Sequence, residues 1–198
     1  MYDTMISHHN QPSWEHLVIE PAENVPFWTP KQGGLTKIAG TVVNADPPLL
    51  FRPLRIRSLQ LQNRLIVAPR AQYSCHDGHA TPWHQQHLGS IAVRGPGSTW
   101  TEASAITEHG RSSLFETGIW KESHIAAWRS VGDIIHSQGQ NIGIQLVHAG
   151  RKGSMVPQWV SEGFDIMPKE AGGYADDLVV PSPIPYNDRS PPPNELTA

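Results

Sequence analysis

Three short stretches with strand character, Leu65–Ala68, Ser98–Ile106 and Asn141–Val147, alternate with two segments whose apolar residues recur at helical spacing. A strand, helix, strand, helix, strand order with short connections leaves few folds open: it predicts α/β architecture around a parallel sheet joined by right-handed crossovers. Local signals agree with it. Thr81 is placed to cap a first helix with Pro82 at its opening position, and Arg94-Gly95-Pro96-Gly97 closes that helix after about Val93. Ile125, Trp128, Val131 and Ile135 share one face of a second helix, which Gly139 ends. Ahead of the first strand, FRPLRIR and SLQLQN alternate with a period of two and predict a small hairpin leading into a buried strand at Leu65–Ala68.

The two ends differ from this middle. The 198-residue chain carries 17 glycines and 18 prolines, concentrated at the termini. Residues 1–47 predict an irregular extension and residues 48–198 one domain, whose part after Gly153 is mostly turn and loop. The closing NELTA resembles the start of a helix. No run of about 18 apolar residues and no secretory leader pattern occurs, so no membrane association is expected. A net charge of −3 without a basic block argues against nucleic acid. One cysteine, Cys75, permits no internal disulfide, and a cytoplasmic setting is expected.

Cys75, His76, His79, His84 and His87 crowd into thirteen residues, but their spacing matches neither a structural zinc site nor a His-x3-His helix, and no metal is expected. His84 and His87 lie three apart on the first helix, where one can face the core while the other positions a loop. Gly95-Pro96-Gly97 precedes a strand instead of opening a helix, which suits a tight turn and not a phosphate cradle. Cys75 lacks an evident activating group and is expected to be inert. More telling are the three strand ends. Pro69-Arg70-Ala71-Gln72-Tyr73, Glu102-Ala103-Ser104 and Gln145 to Arg151 fall on one rim, the face that carries chemistry in parallel barrels. Polar residues that merely mark where strands leave the core would look the same.

Several motifs together resemble the old yellow enzymes, flavin-dependent NAD(P)H dehydrogenases and ene reductases. They are LFRPLRIRSLQLQNRLIVAP, TPWHQQHLGS, WTEASAI, GIWKESH and GIQLVHAGRK, in the family's order. PFWTPKQ and VVPSPIPY are similar to fungal members of the branch that contains the thermophile-type bacterial enzymes. The resemblance implies a (β/α)8 TIM barrel of which this chain holds the N-terminal portion, about three of eight strands. It implies FMN as cofactor, NAD(P)H as reductant, and a small enone-type substrate reduced at its activated C=C bond. Residue by residue, Gln145 would hydrogen-bond the pyrimidine edge of the flavin and Ala103 would present its backbone to the ring. Pro69, Arg70 and Ala71 would lie along the flavin near N5, and Tyr73 would be the catalytic residue on the substrate side. A carboxamide suits a flavin edge because it sets a donor beside an acceptor.

Departures from the family pattern are informative. Ala71 stands where the matching branch has a cysteine near N5, and Arg70 replaces an apolar neighbour. The family's substrate-binding histidine pair and its phosphate site belong to later strands. Two expectations therefore compete: an FMN-dependent oxidoreductase serving fungal secondary metabolism, and a truncated, non-catalytic or partner-dependent fragment that works through a homo-oligomer or partner subunit.

Overall fold

The computed structural model describes residues 47–161, 163 and 165–197, together with the backbone of residues 37–38 and 41–42. Most of the expected irregular extension, and the PFWTPKQ motif, lie outside the described residues. Within it, β1 (Lys37–Ile38) and β2 (Thr41–Val42) form a minimal antiparallel pair.

The expected hairpin is present as β3 (Leu54–Ile56) and β4 (Leu59–Leu61), paired antiparallel across a turn in which Arg57 takes φ +54°. Leu61 anchors it in the interior. Next come β5 (Ile66–Val67), α1 (Pro82–Ala92), β6 (Ser98–Ala105), α2 (Ser123–Ser137) and β7 (Asn141–Val147). β5, β6 and β7 form one parallel sheet in that order, with a register shift between Trp100 and Ala103. The strand, helix, strand, helix, strand order is thus the observed one.

β5 corrects one expectation. It is two residues long, and Leu65 and Ile66 are 41% and 51% exposed, so the run is not a buried strand. Among the described residues only β6 pairs with it, and no described strand pairs with its other edge. The turn before β6 is held as expected: Asn63 donates from its amide to the Gly95 carbonyl at 2.7 Å and accepts from the Leu65 N–H at 3.0 Å. A Cβ on Gly97 would sit 2.2 Å from the Asn63 carbonyl oxygen, so that position excludes every larger residue.

Both helices start with the same device. Thr81 precedes α1 with Pro82 next, and the Thr81 N–H donates to Nδ1 of His84, three residues on, at 2.9 Å. Before α2 the Lys121 N–H donates to Nδ1 of His124 at 3.4 Å. A histidine thus does the work of the glutamate in a capping box, accepting an otherwise orphaned amide proton. His124 also corrects the second helix: it takes the inward position with Trp128, Val131 and Ile135, while Ile125 is half exposed. The stripe at steps of four, three and four starts at His124, and Ile125 lies about 100° around the helix from it. Gly139 ends the helix at φ +69°, donating to the His136 carbonyl. Leu88 and Ala92 of α1 meet Trp128, Val131 and Ile135 of α2 to form the core cluster against Ile142 of β7.

After Gly153 the chain is mostly loop, but it packs on a centre of its own, with Met155, Met167, Tyr174, Leu178 and Val180 buried. The NELTA segment is not a helix start. Asn194–Glu195 is β9, parallel to β8 (Val179–Val180). Pairing with a distant strand overrides the local helical signal.

Ile135 is fully buried, so Ile135→Ala is expected to cost about 2 to 5 kcal/mol, read from urea denaturation. Acid should loosen the start of α2. Burial holds the His124 imidazole below its ordinary range, so its contribution to stability is complete above the unfolded value of about 6.5 and is lost as pH falls through the folded one. Melting temperatures recorded between pH 7.5 and 5 should therefore fall, and His124→Gln should flatten that slope.

Candidate active site

The segment leaving β5 turns sharply. Tyr73 takes φ +50°, a left-handed conformation that a bulky residue adopts only when its surroundings enforce it. Those surroundings centre on Glu102 of β6, whose side chain is 2% exposed. Its carboxylate accepts the Gln72 N–H on one oxygen and Nε2 of His84 at 2.5 Å on the other. Because Nδ1 of His84 accepts the Thr81 N–H, the hydrogen-bond pattern assigns the ring proton to Nε2, where it faces Glu102. Gln72 in turn accepts from the Trp83 indole at 3.1 Å and donates to the Arg70 carbonyl at 3.1 Å. Loop, helix and strand are thus tied at one buried carboxylate.

A cavity of about 580 Å³ opens beside this junction. Pro69, Arg70, Ala71 and Tyr73 line it from the β5 end, His84 and His87 from α1, Trp100 and Glu102 from β6, and Gln158 from the loop after β7. Four of the six expected site residues are therefore together. Ala103 and Gln145 are brought together separately: they are register partners on β6 and β7, and neither lines the cavity. The Gln145 side chain is exposed and its carboxamide has no hydrogen-bond partner among the described residues. Of the two helix histidines, one of which is expected to face the core while the other positions a loop, His84 takes both parts, being buried and accepting the Thr81 N–H, and His87 borders the cavity beside it, where burial depresses its pKa.

Behind Tyr73 lies a second polar layer, built from the loop between β6 and α2. Glu116 is 3% exposed and accepts both the Ser112 N–H at 2.5 Å and the Ser112 hydroxyl at 2.9 Å. Burial pushes its carboxyl up to about 7. Tyr73 is raised as well, first by burial and then by the charges of Glu116 and Glu102, with the Ser112 hydroxyl as the hydrogen-bonding neighbour that opposes them. Cys75 is buried, its thiol donates to the Glu116 carbonyl at 2.9 Å, and burial lifts it to about 11. At that value the thiolate is scarce near neutrality, in keeping with an inert Cys75. Arg111 is buried between the rings of Trp120 and Tyr174, 5.1 and 5.2 Å from their centroids, and donates to the Glu108 carbonyl at 2.7 Å. No group of three His, Cys, Asp or Glu side chains among the described residues is arranged to hold a metal.

Glu116, Ser112 and Gln158 were not legible as site residues. They sit in loops, where no period signals which side chains turn inward; the one available hint was an acidic residue just ahead of the strand-like Thr117-Gly118-Ile119.

Residues 49–166 match the NADH:flavin oxidoreductase / NADH oxidase family. The NADH:flavin oxidoreductase FG08077 of Gibberella zeae is 44% identical over 163 residues, covering 82% of this chain and 38% of the relative. An NADPH dehydrogenase of Geobacillus thermodenitrificans is 36% identical over 151 residues, covering 75% and 39%. Morphinone reductase in complex with tetrahydroNAD superposes with a TM-score of 0.61 at 25% identity, over 76% of this chain and 41% of that one. The old yellow enzyme from Trypanosoma cruzi gives 0.58 at 28% identity, over 76% and 42%. The chain thus spans about two fifths of the length of the relatives it matches, and its fold is the corresponding part of their (β/α)8 barrels.

The sign of the Glu116 shift predicts a measurable effect. A carboxyl raised from 4.5 to about 7 favours the fold below the lower value, and that advantage disappears as pH rises through the higher one. Glu116→Gln keeps the shape without the charge. Relative to the parent, its unfolding free energy should rise by roughly 1 to 3 kcal/mol between pH 5 and pH 8 in chemical denaturation; a constant difference would rule the buried charge out.

Proposed function

Because this chain belongs to the NADH:flavin oxidoreductase / NADH oxidase family, we propose that it supplies the flavin-facing βα units of an FMN-dependent ene reductase, an NAD(P)H-driven catalyst acting on activated C=C bonds. FMN with NAD(P)H as reductant is the family's redox pair. The observation that carries the proposal is the pairing of Ala103 with Gln145 at the strand ends, next to a cavity walled by Pro69 to Tyr73.

The residues present fit FMN. Gln145 offers a planar donor and acceptor side by side and uses neither on another described side chain. Ala103, whose side chain is a single methyl group, does not hold a flat ring away from the strand end, and its carbonyl accepts the Thr117 hydroxyl at 3.1 Å. Pro69, Arg70 and Ala71 form a wall along one side of the cavity. When bound, FMN supplies a hydride to the alkene carbon distal to its activating group. Tyr73 serves the substrate side. Its phenol borders the cavity and carries a proton at neutral pH, so it can donate to the other alkene carbon. Arg70 places a cation at the cavity wall, where it would stabilise negative charge on a bound ring.

The proposed substrate class is a small enone-type molecule and the proposed setting is fungal secondary metabolism; the Gibberella zeae relative supports the fungal kinship alone. One observation favours a second reading. Leu146 is 61% exposed on β7, and no described strand pairs with the free edge of β7, so the flavin edge at Gln145 is open. On that reading the chain is a partner-dependent or non-catalytic fragment.

Flavin absorbance after desalting separates the two. A yellow protein that oxidises NADPH in the presence of an enone supports the enzyme reading, and a colourless one without NADPH oxidation sinks it for the isolated chain. Where FMN is retained, Gln145→Leu should weaken it about tenfold or more in a fluorescence titration, the loss expected for about 1.4 kcal/mol of hydrogen bonding.

A further inference from the structure

Arg70 is the only lysine or arginine that lines the cavity, and its main chain is clamped. The Gln72 carboxamide donates to the Arg70 carbonyl at 3.1 Å and to the Ala71 carbonyl at 3.3 Å, and its oxygen accepts the Trp83 indole N–H at 3.1 Å. The Gln72 N–H is itself held by the Glu102 carboxylate. The Arg70 guanidinium, by contrast, makes no hydrogen bond or ion pair among the described residues. Glu102, the one acid on the same lining, does not serve as its counter-ion, because its two oxygens accept the Gln72 N–H and Nε2 of His84. His87 adds no second charge near neutrality, since burial holds its imidazole below the ordinary range. The other walls are apolar and flat. A Cβ on Gly143 would meet three atoms of the Trp100 ring system at 2.7, 2.8 and 2.9 Å, so one face of that ring lies over the Gly143 backbone. Trp100 is 40% exposed and lines the cavity, which leaves indole surface open to a flat ligand. Pro69, Leu88 and Ile91 complete the apolar lining.

We infer that the cavity takes an enone that carries a carboxylate, with Arg70 binding the carboxylate and Gln72 acting as the positioning residue that holds Arg70 at the wall. The inference rests on the ene-reductase reading and narrows its substrate class. A guanidinium presents its donors in a planar fork that matches a carboxylate, and it is less strongly hydrated than an ammonium, so pairing at a cavity wall is favourable. A single fixed cation among apolar walls suits a ligand with one anionic end and a flat unsaturated body. A phosphate would bring a second negative charge into the same lining with no second cation to meet it. Arg70 binds and orients in this scheme and takes no part in bond making: the carboxylate is carried through unchanged while hydride and proton add across the C=C bond.

Binding to the FMN-free chain tests this without any flavin chemistry. The probes are benzoylpropionate, an unreactive saturated keto acid, and its neutral carboxamide, titrated by calorimetry at pH 7.5. The carboxylate should bind about tenfold or more tightly than the amide, the ratio expected for a charge-assisted pair. Arg70→Met should erase that ratio, Arg70→Lys should keep part of it, and Gln72→Met should lower it severalfold while Arg70 is still present. Added salt should weaken the carboxylate and leave the amide unchanged. Equal affinities for the two probes, the result expected if Arg70 serves only a bound ring, overturn the inference, as does a preference that survives Arg70→Met. A ratio untouched by Gln72→Met overturns the positioning role. Circular dichroism of each variant establishes that the fold is kept. In FMN-loaded protein the same preference should appear in kcat/KM for benzoylacrylate over benzoylacrylamide, carried mainly by KM. The two proposals fail separately: FMN retained with no carboxylate preference leaves the functional reading standing alone, and a preference in a chain that never holds FMN leaves the anion site without the reductase.

Discussion

The Glu102 carboxylate is the joint on which the site depends. It is buried on a central strand and satisfied from two directions, by the Gln72 N–H and by Nε2 of His84. An ionised carboxylate without such partners would be strongly disfavoured in the interior, so the partners are obligatory. Their positions then follow. Gln72 must stay within reach, which draws in the segment after β5 and leaves Tyr73 with its unusual backbone. His84 must present the same nitrogen, which requires its other nitrogen to accept the Thr81 N–H and so ties the first turn of α1 to the same point. Three elements distant in sequence share one geometry because one buried carboxyl group cannot be left without partners.

The rest of the site has the same character. The buried Thr101 and Ser104 hydroxyls donate to the Glu102 carbonyl at 2.9 and 3.2 Å, and the Thr117 hydroxyl donates to the Ala103 carbonyl at 3.1 Å. Leu88, Trp128, Val131 and Ile135 make the apolar cluster on the helix side of the sheet instead. The division of labour is physical. Apolar packing holds the helices against the sheet and tolerates small changes of shape, whereas directional hydrogen bonds set the strand ends within narrow limits of angle and distance. A surface meant to meet a flat polar ring is better held by the second kind of force.

What could be read from the sequence was whatever is written locally. Thr81-Pro82, Gly139 and the Gly95-Pro96-Gly97 turn act on their own neighbours, and each was legible. Helix periodicity found α2 but put Ile125 in the place of His124, because a histidine that caps a helix and faces inward looks polar to a hydrophobicity pattern. The pairing of the C-terminal segment was not legible: Asn194–Glu195 is a strand only because Val179–Val180 lies beside it. The exposure of β5 follows from what does or does not flank it, which no local window carries. Of the site, Pro69, Arg70, Ala71 and Tyr73 share a cavity as their common strand end suggested. Glu102 was noticed as a strand-end residue without its role, and Glu116 gave no sign, since a loop carboxylate reveals its burial only in three dimensions.

Arg111 has a consequence for how the molecule can vary. Its backbone carbonyl accepts the Tyr174 hydroxyl at 2.7 Å, its guanidinium lies against the Tyr174 ring, and the adjacent Ser112 carbonyl accepts the Met155 N–H at 2.7 Å. Ser154 closes the circuit by accepting the Tyr174 N–H on its hydroxyl at 2.8 Å. The chain from Ser154 to Tyr174 is therefore a loop with both feet on one spot, and its contour length is free only between them. Insertions or deletions at its outer turns, near the exposed Trp159 and Val160, can reshape the mouth of the cavity while its floor stays fixed. Relatives that differ in loop length there would differ in what they admit, and share what they do to it.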